Sequence, residues 1–184
     1  MRISIIALTV GALLAGGPAV AQDRTDKDQR TVERVQKDAG RDTKDQRRVV
    51  DADYKAAVKE ADARYKSESA RCKDLKGNDK DVCVKEAKAN EKKSKAEAKA
   101  KRDTARAELK AQRTVARDKD PDDRAEARRE ANEDKREARR DANEQRREAD
   151  YRVARERCDS LKGDAKEACQ AQAKQRFEKD RPRG

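Results

Sequence analysis

The chain has 184 residues, of which 48% are charged, 33% hydrophobic and only 2% aromatic, and its formal net charge is +11. Because so few large apolar side chains are available for burial, this composition excludes a globular domain with a thick core and favours long helices that touch along narrow seams. The chain contains no histidine, which excludes catalytic triads and metal sites that use imidazole.

The first 21 residues have the three parts of a secretory signal peptide. Arg2 gives a positive start, residues 3–15 are apolar, and Ala19 and Ala21 provide the small-residue pattern that predicts cleavage after Ala21. The apolar run is about 13 residues long, whereas a helix that spans a bilayer needs about 20. We therefore expect a periplasmic protein that is soluble and does not span the membrane after cleavage.

Residues 22–50 form a polar arm of low complexity. The fragment Asp-Gln-Arg occurs in it twice, and its four valines are the only side chains that can pack. Such a composition predicts a disordered or partly helical segment.

Two segments further along the chain share one motif. Both read Tyr-x6-Cys-x2-Leu-x-Gly-x5-Cys-x3-Ala-Lys, and they begin at Tyr65 and Tyr151. Matching residues at fixed offsets within a low-complexity background indicate an internal duplication.

Each copy of this motif predicts an antiparallel helical hairpin. Gly77 and Gly163 can take the left-handed conformation that ends a helix. In the first copy, Asn78 or Asp79 can then cap the next helix. The positions expected to pack within the hairpins are Tyr65, Leu75 and Ala87 in the first, and Tyr151, Leu161 and Phe177 in the second, with Tyr151 opposite Phe177.

The four cysteines allow three disulfide pairings. In each hairpin the two cysteines lie at facing positions on either side of the glycine, where Cα atoms approach to the ~5.5–6 Å that a disulfide prefers. This spacing favours the pairs Cys72–Cys83 and Cys158–Cys169. The alternatives are a thiol redox pair or a zinc site, but redox pairs typically read Cys-x-x-Cys and zinc ligand pairs are usually two to four residues apart.

The sequence contains an eleven-residue repeat in the predicted helix that leads to the second hairpin. Residues 127–137 read ARREANEDKRE and residues 138–148 read ARRDANEQRRE. This period is typical of a nearly straight helix with one apolar stripe, which would pack closely but weakly against a partner helix. The stripe consists of Ala127, Ala131, Ala138, Ala142, Ala149 and Val153.

These patterns together predict an all-α protein with little core. Its parts are a signal peptide (1–21), the polar arm (22–50), the first cysteine hairpin (51–118), an Asp/Pro break (119–123), the long repeat helix with the second hairpin (124–180) and a short tail (181–184). Because each disulfide closes only its own turn, we expect the two hairpins to be separate units.

The basic stretches 85–106 and 124–157 have two interpretations. Acidic residues alternate with the basic ones, which favours a solvated helix face. The alternative is a surface that binds lipopolysaccharide or nucleic acid, although nucleic-acid binders usually add aromatic side chains for stacking.

The motif at 65–88, with Asn78 after Gly77 and Val84 after Cys83, resembles a group of small exported proteobacterial proteins with a Cys-x10-Cys helical hairpin and no known function. Many of them are named TolA-like cell envelope proteins. The resemblance covers about residues 50–110 and 145–178, and the second copy departs from it with Asp164 in place of the asparagine. The resemblance implies an exported helical protein and implies no particular activity.

The sequence therefore predicts a non-enzymatic structural or interaction protein of the cell envelope. We expect no cofactor, metal or small-molecule substrate, and a partner that is a protein or an anionic envelope component; oligomers remain possible. A basic polyanion-binding protein is the first alternative, and a thiol redox or metal-binding protein is the second.

Overall fold

The computed structural model describes residues 19–181, with side chains from residue 42 onward. Most of the predicted signal peptide and the last three residues therefore lie outside the described part of the chain. The chain divides into two units, residues 1–38 and 39–184, and the packing discussed below belongs to the second.

The described residues form four α-helices and no strand, which confirms the all-α prediction. The helices are α1 (Ala19–Arg71), α2 (Gly77–Arg117), α3 (Pro121–Arg157) and α4 (Gly163–Lys179), with short 3₁₀ turns at Cys72–Asp74 and Cys158–Ser160. Their abundance of Ala, Lys, Glu and Arg favours helix throughout. Of the two forms predicted for the arm at 22–50, the helical one is described, because α1 begins at Ala19.

The predicted break lies between α2 and α3. The side chain of Asp120 accepts a hydrogen bond of 2.8 Å from the backbone N–H of Asp122, and Pro121 occupies the first turn, where its missing N–H costs nothing. The chain reverses here, so α3 runs antiparallel to α2. No helix in the described part of the chain has the length and apolar character needed to cross a membrane.

α2 lies between α1 and α3 and is buried on two opposite sides. At about 100° per residue, Ala87 and Ala98 share one side of the helix, and Ala89, Ala96 and Ala107 share the other. Ala89 packs with Ala149 and Val153 of α3, so the second side faces α3. The expectation of separate hairpins is therefore wrong: α2 belongs to the first hairpin, but it packs along α3 of the second.

The six side chains predicted as the apolar stripe of α3 are the buried residues of that helix in the structure. The same eleven-residue step recurs where the sequence analysis did not identify it. In α2 it relates the buried residues Ala87, Ala98 and Leu109, and it also relates Ala61 of α1 to Cys72 in the 3₁₀ turn that follows. Helices whose buried positions share one period can stay in contact along a straight seam.

Candidate interaction site at the disulfide end

The two duplicated turns lie at the same end of the helix array. Lys85, near the start of α2, forms a 3.3 Å ion pair with Glu156, near the end of α3. The next residues along, Glu86 and Arg157, pair at 2.5 Å. Because these contacts join the start of α2 to the end of α3, the turns at 72–83 and 158–169 are neighbours, and we name this region the disulfide end.

The acidity of Asp159 in the second turn is consistent with this proximity. A hydrogen bond from Lys166 is the main cause that lowers the pKa of Asp159, and the charge of Lys85, which belongs to the other hairpin, adds to the lowering. Lys85 of the first hairpin is thus near enough to act on a carboxyl of the second turn.

The predicted disulfides are confirmed. Cys72 pairs with Cys83 at a Cα–Cα distance of 5.6 Å, and Cys158 pairs with Cys169 at 5.7 Å. The first cysteine of each pair is almost fully buried, and no cysteine is free. Two structural disulfides are typical of a protein that folds in an oxidising, extracytosolic compartment.

Both turn glycines have positive φ, as predicted, at +56° for Gly77 and +54° for Gly163. Their place in the turn differs from the prediction, because each glycine begins the second helix and does not end the first. The first helix ends in the 3₁₀ turn, where the N–H of Leu75 donates to the carbonyl of Cys72 at 3.2 Å. Neither Asn78 nor Asp79 caps α2, whose N-cap is Lys76 without a side-chain hydrogen bond.

Leu75 and Leu161 do not pack inside the hairpins. They are 41% and 40% exposed, respectively, and both have extended backbone just after the 3₁₀ turn. Leu75 was expected to pack because an α-helix that continued past Cys72 would carry it on the buried face. Because the helix tightens at Cys72, each leucine leaves that face and projects into solvent at the disulfide end.

The other predicted packing positions are within the hairpins. Tyr151 stacks on Phe177 with ring centroids 4.9 Å apart, as expected, and Ala87 is buried. Arg147 donates to the carbonyl of Phe177 at 3.2 Å and so satisfies an acceptor near the end of α4. Tyr65 lies opposite Lys88, whose ammonium is 4.7 Å from the ring centroid.

Glu91 is a buried charge that the sequence analysis missed. It is 7% exposed, in the seam between α1 and α2. Its carboxylate lies 2.7 Å from Lys88 and 2.6 Å from Lys95, and Lys95 also reaches Asp62 at 2.5 Å. Burial alone would raise the pKa of Glu91, but the two ammonium groups outweigh it and lower the pKa to about 2. Glu91 is thus held as an anion, which suits a structural ion pair and not a proton donor.

Complementary charges at eleven-residue spacing join α2 to α3. Glu86, Glu97 and Glu108 of α2 face Arg157, Arg146 and Lys135 of α3 in antiparallel order. The first and last of these form ion pairs of 2.5 Å and 3.5 Å, and the middle two side chains line one groove. We name this row the charge ladder.

The grooves between the helices offer little to a small molecule. One of them, between α2 and α3, is lined by Lys99, Asp103 and Asp141 among other charged side chains. Small-molecule sites are usually concave and mostly apolar. Among the described residues no group of acidic, cysteine or histidine side chains is arranged to hold a metal ion.

Comparison with known proteins finds no family model, no curated protein and no solved structure that matches this chain.

Proposed function

We propose that this chain is a non-enzymatic helical interaction protein of the cell envelope, which binds a protein partner through its disulfide end. The observation that carries the proposal is the pair of exposed leucines, Leu75 and Leu161. Each stands at the same position of a duplicated turn, and each turn is held by a disulfide. The disulfides hold both exposed side chains on rigid turns at one end of the helices, where a partner can contact them.

The disulfides support an exported location. Structural disulfides persist outside the cytosol, where thiols are not kept reduced. Residues 1–21 add the pattern of a cleavable signal peptide, and the periplasm is the compartment that both features fit.

The chemistry of the side chains supports a binding role over catalysis. All four cysteines form disulfides, and the most buried carboxylate among the described residues, that of Glu91, pairs with two lysines. A catalytic acid or nucleophile would instead need a perturbed, accessible group in a cleft.

The test is site-specific photo-crosslinking of the full chain in the periplasm. A crosslinking side chain is placed at position 75, at position 161, or at Val49, an exposed apolar control on α1 (59% exposed). We expect the same discrete adduct from positions 75 and 161 and none from position 49. Identical adducts from all three positions, or no adduct from either turn, would contradict the proposal.

The same preparations test export. Mass spectrometry of the periplasmic fraction is expected to find a chain that starts at Gln22 and holds two intact disulfides. A chain that keeps residues 1–21 and remains in the cytosol would overturn the proposed location.

A further inference from the structure

The charges of α3 alternate along the sequence but separate on the surface of the helix. α3 contains 12 basic and 12 acidic residues and is neutral as a whole. One row of carboxylates runs from Asp123 through Glu130 and Glu137 to Glu148 in steps of three or four residues. Charges that alternate along the sequence therefore do not alternate around this helix.

Six arginines occupy another side of α3. At about 100° per residue they fall within an arc of about 120°, and no carboxylate between residues 128 and 146 lies inside it. Asn132 and Asn143 lie near the middle of the arc. We name this surface the arginine face; its members are Arg128, Arg129, Arg136, Arg139, Arg140 and Arg146.

All six arginines are exposed, and none forms an ion pair within the described part of the chain. Arg139 and Arg146 of this face also line the groove between α2 and α3, but neither pairs with a carboxylate there. Neighbouring basic residues do have partners: Lys135 pairs with Glu108, and Arg147 donates to the carbonyl of Phe177. Some cations of α3 therefore bind neighbouring helices, whereas the six arginines are available to bind a ligand.

α4 leaves the arginine face open. This helix packs on the end of α3 and finishes at Lys179, two residues after Phe177 contacts Arg147. All six arginines precede Arg147 in α3, so they lie beyond the part of α3 that α4 covers. The face extends from Arg128 to Arg146, which are about 27 Å apart along the helix axis at 1.5 Å per residue.

We propose that the arginine face binds the phosphate head groups of an anionic lipid surface. A guanidinium group matches phosphate oxygens with two parallel hydrogen bonds and stays charged at any physiological pH. Each basic residue held near an anionic membrane increases the affinity about fivefold. The exposed face has no apolar side chain to insert, so the protein lies on the head groups and does not enter the bilayer.

Lipid fits this face better than nucleic acid. Binders of single-stranded nucleic acid usually stack bases on aromatic rings, and the one aromatic residue of α3, Tyr151, is already stacked on Phe177. The choice of lipid also rests on the proposed export, because phosphate-bearing lipids line the envelope. The two proposals concern different surfaces, so either can fail alone.

The test is co-sedimentation of the mature full chain with phosphatidylcholine vesicles, with and without phosphatidylglycerol. The variant Arg129→Gln/Arg136→Gln/Arg140→Gln removes half of the arginine face. The control Lys55→Gln/Lys59→Gln/Lys66→Gln removes the same charge from exposed, unpaired lysines of α1. Circular dichroism checks that both variants remain helical.

We expect the wild-type chain to bind only the anionic vesicles, with an affinity that falls as salt is added. The α3 variant should lose affinity about 100-fold and the α1 control less than about fivefold. Equal losses in both variants would overturn the proposal, because they would indicate diffuse attraction. Binding to neutral vesicles, or none to anionic ones, would also overturn it. Preferential binding of single-stranded DNA through the same arginines would replace lipid with nucleic acid as the ligand.

Discussion

Glu91 holds a negative charge inside the seam between α1 and α2, and two lysines keep it ionised. Its folded pKa of about 2 lies below the ordinary value of 4.5. The ionised form is therefore the one that the folded state favours. The stability that Glu91 contributes is fully present above pH 4.5 and is lost as the pH falls from there toward 2.

We expect Glu91→Gln to destabilise the fold at neutral pH by about 1–3 kcal/mol, because it removes charge-assisted hydrogen bonds from a buried position. Urea unfolding at neutral pH and at about pH 2 measures the difference between wild type and variant. The difference should shrink at the lower pH, where the wild-type carboxyl is half protonated.

The matched control for this measurement is Glu60→Gln. Glu60 also pairs with a cation, Arg64, but both side chains are more than half exposed. An exposed pair contributes about 0–1 kcal/mol. A difference for Glu91→Gln that is no larger than the control, or that does not change with pH, would contradict the role assigned to the buried charge.

At the scale of elements, the two hairpins depend on their disulfides to different extents. α2 is held by α3 along one side and by α1 along the other, whereas α4 has 17 residues and, in the described part of the chain, packs mainly on the end of α3 and on the 3₁₀ turn that precedes α4. Isolated helices of this length are marginal in water. The Cys158–Cys169 bond and the stacked pair Tyr151 and Phe177 therefore decide whether α4 stays in place.

We expect Cys158→Ser/Cys169→Ser to release α4 while α2 and α3 stay paired. Closing a loop of this size contributes about 3 kcal/mol in the chain-entropy model. We expect the packing of one short helix to be too weak to compensate for that loss. Hydrogen exchange should report rapid exchange of the amides of 163–179 in this variant.

The other pair provides the comparison. Cys72→Ser/Cys83→Ser should lower overall stability but leave the amides of α2 protected, because both sides of α2 remain packed. Protection of α4 that survives loss of its disulfide, or equal loss of protection in both variants, would contradict this assignment.

Local spacing was enough to predict the helices, both disulfides, the stacking of Tyr151 on Phe177 and the buried side of α3. Local spacing did not predict the pairing of α2 with α3, because alanines occur on both sides of α2 and no local signal indicates which helix covers each side. Leu75 was misplaced because the α-helical period does not reveal where a helix tightens into a 3₁₀ turn. Glu91 was missed because a carboxylate in a chain rich in charge has no distinctive local pattern until its burial is known.

Across the second unit as a whole, the excess positive charge is concentrated in the central helix. α2 contains 13 basic and 7 acidic residues, whereas α3 is neutral. Acidic residues of the neighbouring helices face these cations on both sides. For example, Asp51 of α1 lies 2.6 Å from Arg106, and Glu130 of α3 lies 2.5 Å from Lys110. Alanine seams are nearly uniform along their length, so the charges specify which residues lie opposite each other.

A charge exchange in the ladder tests this role. Glu108→Lys places a second cation opposite Lys135. The repulsion should lower the melting temperature at low salt and reduce the free energy of unfolding by about 1 kcal/mol. The double variant Glu108→Lys/Lys135→Glu restores the opposite charges and should recover most of the loss.

Thermal unfolding at low and high salt measures both variants. The difference between the single and double variants should become smaller at high salt, because exposed charges are screened. A double variant that is no more stable than the single one would contradict a role for the ladder in setting the register.

The eleven-residue step also constrains how the length of this protein can change. Inserting one such repeat into each of α1, α2 and α3 at facing positions would lengthen the array by about 16 Å and keep the buried contacts and opposite charges of both seams matched. An insertion in only one helix would leave the facing partners unmatched beyond it. Related chains should therefore differ in length by eleven residues in all three helices at once, with the disulfide end unchanged.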